Sequence, residues 1–195
     1  IKLMNVTKEL NLSYFLFLFA VLSFCFGFYI EEDSAGSGGF ILDFNKTWNF
    51  VITLKNEMSF LQDDYSTHTP LHYLVLSQLL SITGSQNLTR LTYFLICFLI
   101  PFLFYQCLKL QFSHLRKINL ILIVSVVFFL PSFRSSAIWA NSSTTALIFF
   151  LIFLYYYISW NKKNKFYKSS LNKEIFFQTF YLALAVYSRQ YYAYI

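Results

Sequence analysis

Glu31, Glu32 and Asp33 form three consecutive acids directly after Leu10–Ile30, a stretch with no charged side chain. A carboxylate held at the edge of a low-dielectric region has its proton affinity raised, which suits a general base. Three acids exceed what a base needs. On a helical continuation, neighbours diverge by about 100°, so Glu32 and Asp33 cannot both face one point. A second cluster, DDYSTHTPLHY at 63–73, holds Asp63, Asp64, His68 and His72. The His68/His72 spacing lacks the intervening glutamate of a HExxH zinc site and the further ligands a metal needs, so no metal is indicated. His68, just before a proline-started helix, is instead placed to meet an anionic head group, helped by the free amides of that helix. A third cluster, LPSFRSSAIWANSS at 130–143, breaks two apolar runs with Pro131 and offers Arg134, Trp139 and Asn141. Arg134 and Arg189, the latter in YSRQYY, are costly near lipid and carry planar guanidinium groups that fit phosphate. The plain alternatives are a solvated acidic loop, an aromatic belt and a snorkelling arginine.

The elements that must position these groups follow from composition. The chain is 57% hydrophobic, 22% aromatic and only 12% charged, with a mean hydropathy of +0.52. Soluble domains carry about 25% charge, so lipid is the natural solvent. Nucleic acid is not an expected partner despite the net charge of +6, because a basic patch needs a soluble face. A membrane helix needs about 20 apolar residues. The runs 12–30, 91–108, 118–133 and 143–160 meet or approach that length, and 175–195 is interrupted only by Arg189. The segment 71–83 is apolar but short, which predicts an interfacial or re-entrant helix. The expected fold class is all-α, a polytopic transmembrane bundle of about five spans forming a single membrane domain over 1–195. An external loop at 31–90 carries interfacial helices.

Charge gives the orientation. Lys109, Arg116 and Lys117 lie in one loop, and five lysines against one glutamate lie in 161–174. The loop 31–90 has seven acids against three bases. Basic loops stay cytoplasmic, so the acidic loop faces outside. Pro70 suits the start of the 71–83 helix and Gly84 its end. Aromatic and aliphatic residues at 40–54 predict an amphipathic helix, reached through a turn at Gly36, Gly38 and Gly39. Cys25, Cys97 and Cys107 fall within apolar runs and read as buried hydrophobes. The chain starts at Ile1 and stops within an apolar run, which reads as the N-terminal half of a longer protein. Sequons at Asn5, Asn11, Asn45, Asn87 and Asn141 do not establish an endoplasmic reticulum setting, and a bacterial inner, or plasma, membrane is the favoured location.

External acids together with two arginines suit transfer of a group from a lipid phosphate to a hydroxyl. The base takes the acceptor proton, and cations stabilise the departing phosphate. The acidic motif after the first span resembles the first-loop motif of the GT-C superfamily of polytopic glycosyltransferases. The run His68-Thr69-Pro70-Leu71-His72-Tyr73 is similar to the H/K-P-P-L-Y pattern of its protein-mannosyltransferase-like branch, with Thr69 in place of the first proline. The break at 131–134 and the Arg189-Gln190 pair are also similar to features of that superfamily. The resemblance implies an inverting transferase that uses a polyprenyl-phosphate sugar donor and a glycan, lipid or protein acceptor, with Asp33 or Glu32 as catalytic base. It implies substrate contacts from His68, and the residue chemistry adds Arg134, Arg189 and Asp64. No cofactor is indicated. A polytopic transporter or lipid flippase is the alternative, since broken helices are common there.

Overall fold

The computed structural model describes residues 2–56, 70–164 and 173–194, with side chains at 12–56, 70–162 and 173–194. His68, Asp64 and Asp63 lie outside the described residues, as does most of the lysine-rich loop at 161–174. Every regular element among the described residues is helical. They are α1 (Lys2–Tyr29), α2 (Gly39–Asn56), α3 (Leu71–Thr83), α4 (Gln86–Ile96), α5 (Leu99–Gln111), α6 (Lys117–Val127), α7 (Pro131–Ile138), α8 (Ser142–Asn164) and α9 (Lys173–Ser188). A 3-10 turn, Gln190–Tyr194, follows α9.

Among the described residues, three stretches are long and apolar enough to cross a membrane: Leu12–Tyr29, Gln86–Gln111 and Ser142–Lys162. The pair α6 and α7 makes a fourth when taken as one span, bent by 64°. Pro131 causes the bend, because it cannot donate to Val127 and sits instead at the first position of a new helix. The expected fifth segment is helical only over the 16 residues Lys173–Ser188 and then tightens at Arg189 into the 3-10 turn. The apolar face of α1 points outward at Phe15, Phe19, Leu22 and Phe26, each more than half exposed. A protein in water does not leave such a face open.

Helices in lipid gain nothing from moving apolar surface out of water, so close packing and hydrogen bonds must hold them together. Phe24 supplies much of the packing. It is fully buried, and its ring lies 4.6 Å from Phe94, 5.2 Å from Phe133, 5.4 Å from Phe98 and 5.5 Å from Phe128, joining α1 to four other segments. Each such pair adds about 0.5–1.5 kcal/mol beyond its burial.

The described parts of the long loop hold the two helices expected in it. Phe44, Trp48, Val51 and Leu54 recur at helical spacing and form the buried stripe of α2. That stripe packs on α3, with Phe50 stacked on Tyr73 at 5.6 Å. Pro70 opens α3, and Gly84 closes it at a φ of 73°, where a Cβ would be strained. Ser85 then caps α4 by accepting from the amide of Leu88 at 3.3 Å.

Candidate functional site

The acidic stretch is not a floating loop. Each of its three carboxylates is engaged differently. Glu31 adopts a positive φ of 55° and its Oε1 accepts from Arg90 Nη2 at 2.7 Å. The Arg90 guanidinium lies over two aromatic rings, 5.1 Å from Phe28 and 4.7 Å from Trp139. Cation–π attraction therefore shares that charge with the ion pair.

Glu32 turns inward. Its two oxygens accept from Arg134 Nε at 2.9 and 3.0 Å, and Oε2 also accepts from Arg134 Nη2. Arg134 donates further to the Ser23 carbonyl at 3.0 Å, the Ser23 hydroxyl at 3.2 Å and the Phe128 carbonyl at 3.0 Å. An ion pair shielded from water repays its desolvation only when the remaining donors and acceptors are also met, and here both guanidinium nitrogens and Nε are met. Arg134 thus ties the end of α1 to the α6–α7 break. Its hydrogen bonds are spent on protein atoms.

Gly27 makes the pair possible. A Cβ at position 27 would stand 2.5 Å from Glu32 Oε2 and 2.6 Å from Arg134 Nη2. Gly27→Ala is accordingly expected to cost about 1–3 kcal/mol, the usual range for overpacking. Loss of thermal stability in detergent measures it, and an unchanged melting temperature would show that the pair can shift at no cost.

The Arg134 hydrogen bonds hold the Glu32 carboxyl below its ordinary value near 4.5, against the opposing effect of partial burial; a hydrogen bond from Ser34 adds to the lowering. A carboxyl whose folded pKa is depressed contributes stability above its unfolded pKa and loses it as pH falls through the folded value. The melting temperature should therefore fall on acidification below about pH 4.5, and less steeply in Glu32→Gln. Parallel curves for the two proteins across pH 3–6 would remove the linkage.

Asp33 is held by one oxygen only. Its Oδ2 accepts from the amides of Phe40 at 3.0 Å and Ile41 at 3.2 Å, in the first turn of α2. Those amides have no intrahelical partner and carry the positive end of the helix dipole. The second oxygen, Oδ1, is buried and has no hydrogen-bond partner among the described residues. It lies beside Gly36, where a Cβ would stand 2.7 Å away. The Phe40 ring packs against the same face of Gly36, so a side chain at position 36 would clash with both.

Two further contacts fix the turn to α7. The Trp139 indole donates to the Glu32 carbonyl at 3.1 Å, and the Ala35 amide donates to the Ser135 hydroxyl at 3.2 Å. Immediately beyond, Asn141 Oδ1 accepts from the Ser143 amide at 3.0 Å and so caps α8. Arg189 Nη1 donates to the Ser142 hydroxyl at 3.0 Å, with its guanidinium 5.5 Å from the Tyr191 ring. Glu32 and Arg134 thus meet at the first turn of α7 and Asp33 at the start of α2, while Arg189 is held at the start of α8.

No protein-family profile, curated protein or solved structure matches this chain. The site must therefore be read from its own geometry. Among the described residues no group of three or more His, Cys, Asp or Glu side chains is placed to hold a metal ion.

Several residues of this region were not singled out by sequence reasoning. Arg90 counted only as a charge in the long loop. Gly27 carried one signal, an isolated glycine within an apolar helix, which often marks a close approach. His72 is fully buried and pairs through Nδ1 with Thr145 Oγ1 at 2.8 Å. Tyr93 completes this network, its hydroxyl 2.7 Å from Thr145 Oγ1, 2.8 Å from Thr144 Oγ1 and 3.0 Å from the Asn141 carbonyl. His72 thus joins α3 to α8.

Proposed function

We propose that the protein is a membrane glycosyltransferase that moves a sugar from a polyprenyl-phosphate donor to an acceptor hydroxyl, with Asp33 as general base. The observation that carries the reading is the division of labour within one carboxylate. Oδ2 of Asp33 is fixed by two helix amides, while Oδ1 is shielded from water, unpartnered among the described residues and flanked by a glycine. A base needs that combination of a fixed position and a free lone pair.

In the proposed step the acceptor O–H gives its proton to Asp33 Oδ1 as its oxygen bonds to the anomeric carbon. The bond from that carbon to the phosphate oxygen breaks, and the phosphate departs with the electron pair. Attack opposite the leaving group inverts the anomeric centre. Glu32 is the weaker candidate for the base, because Arg134 occupies both of its oxygens and holds it ionised. Arg189 and, with it, His68 and Asp64 are assigned to substrate binding; the bonds made by Arg134 favour a role in supporting the turn. The acidic end of the bundle faces outside and the lysine-rich end faces the cytoplasm, in keeping with the charge bias of the loops.

Protein reconstituted with a radiolabelled polyprenyl-phosphate sugar and a hydroxyl acceptor should yield labelled product with inverted anomeric configuration. Movement of the lipid-linked sugar across the bilayer with no transfer would replace this reading with a transporter or flippase.

A further inference from the structure

At the opposite end of the bundle from the acids, α1 and α5 each pack on α6 and leave a groove between them. The groove has a volume of about 670 Å³. Its walls are apolar and largely aromatic, and the Phe24–Phe98 and Phe17–Phe128 contacts, at 5.4 and 6.0 Å, close its inner end. Its mouth is different. Lys109, in the last turn of α5, and Lys117, the first residue of α6, line it together with Tyr14 and Tyr105. Both lysines are exposed, and neither ammonium has a hydrogen-bond or ion-pair partner among the described residues.

We infer that this groove is a seat for one anionic phospholipid, its phosphate held between Lys109 and Lys117 and an acyl chain laid along the aromatic wall. Length supports the fit. From Phe98 to Lys109 on α5, and from Lys117 to Phe128 on α6, the rise is ~16 Å at 1.5 Å per residue. One leaflet of a hydrocarbon core is ~15 Å thick. The groove therefore runs from one membrane surface to the midplane and accommodates a lipid from a single leaflet. Charge supports the choice of head group. Two unpartnered cations at the mouth of an otherwise uncharged groove favour an anionic phosphate over a zwitterionic one. The tyrosines belong at the same depth, where an amphipathic ring meets the head groups.

The seat does not depend on the glycosyltransferase reading, and its test does not measure transfer. The protein is reconstituted in phosphatidylcholine nanodiscs containing a trace of spin-labelled phosphatidylglycerol or spin-labelled phosphatidylcholine, and the motionally restricted fraction of each is measured. Phosphatidylglycerol should be restricted preferentially, with about fivefold in relative affinity contributed by each lysine. In the double variant Lys109→Gln/Lys117→Gln the ratio should fall towards one. Both positions are exposed, so the fold should survive, and helical circular dichroism checks it. The charge-matched control Lys46→Gln/Lys55→Gln, in α2, should keep the preference. Water-soluble glycerol phosphate should not displace the labelled lipid, since it lacks the chain that fills the groove. Equal restriction of the two lipids by the wild type would overturn the proposal. So would an unchanged ratio in the Lys109/Lys117 variant, an equal loss in the control, or displacement by glycerol phosphate.

Discussion

Asp33→Asn should lower sugar transfer by about 10²–10⁴-fold, the range that a positioned general base contributes, while leaving the protein folded. Asparagine retains the side-chain oxygen that accepts from the amides of Phe40 and Ile41, and it caps helices about as well as aspartate. What it loses is the second carboxylate oxygen and with it the ability to take a proton. The substitution thus separates the structural task of Asp33 from the proposed chemical one. Asp33→Ala removes both, and should additionally cost about 1 kcal/mol of stability through loss of the cap. Glu32→Gln is the comparison that decides the assignment. If transfer survives Asp33→Asn but is lost in Glu32→Gln, then the base is Glu32. If it survives both, neither is the base.

Arg134→Ala should be the most damaging single change to stability, at about 3–5 kcal/mol, the usual cost of removing one partner from a shielded ion pair. The side chains of Arg134 and Glu32 are only 10% and 18% exposed. Loss of the guanidinium strands the Glu32 carboxylate, the Phe128 carbonyl and the Ser23 hydroxyl at once. Arg134→Lys keeps the charge but replaces a planar fork with a single ammonium, which cannot span acceptors on α1, the acidic turn and the α6 end together. It should recover only part of the loss. Combining Arg134→Ala with Glu32→Gln should cost less than the sum of the single changes, since the double variant leaves no unpaired charge. The measurement is chemical unfolding of the detergent-solubilised protein. A stability unchanged in Arg134→Ala would show that the pair is not the strut holding α1 to the α6–α7 break.

These two residues mark where sequence reasoning reached and where it stopped. The sequence places Glu31, Glu32 and Asp33 after an apolar helix, and Arg134 after a proline break 102 positions away from Glu32. Both were legible as candidates, because charge beside a long apolar run is conspicuous. Their partners were not. A guanidinium fits a phosphate and a carboxylate equally well, and only the packing of α1 against α6 and α7 brings Glu32 within reach of Arg134. The sequence likewise left Glu32 and Asp33 undivided, since local angle alone could show only that they diverge. The direction of each was set by what the turn meets: Arg134 for one, the first amides of α2 for the other.

Apolar run length and periodicity settle most of the fold by themselves. An uninterrupted stretch such as Leu12–Tyr29 can satisfy its backbone in lipid only as a helix. Phe44, Trp48, Val51 and Leu54 repeat at a helix's own spacing, and Pro70, Gly84 and Pro131 mark ends through the backbone angles and missing donor they impose. All of these are local properties, fixed by neighbours within a few residues. The tertiary structure alone decides what depends on distant segments meeting. It ends α9 at Ser188 and assigns Gly27 to make room for an ion pair. It also places two lysines at the mouth of an apolar groove and leaves one oxygen of Asp33 without a partner among the described residues. No residue type encodes such an outcome in advance, because each is set by the atoms that another helix brings alongside.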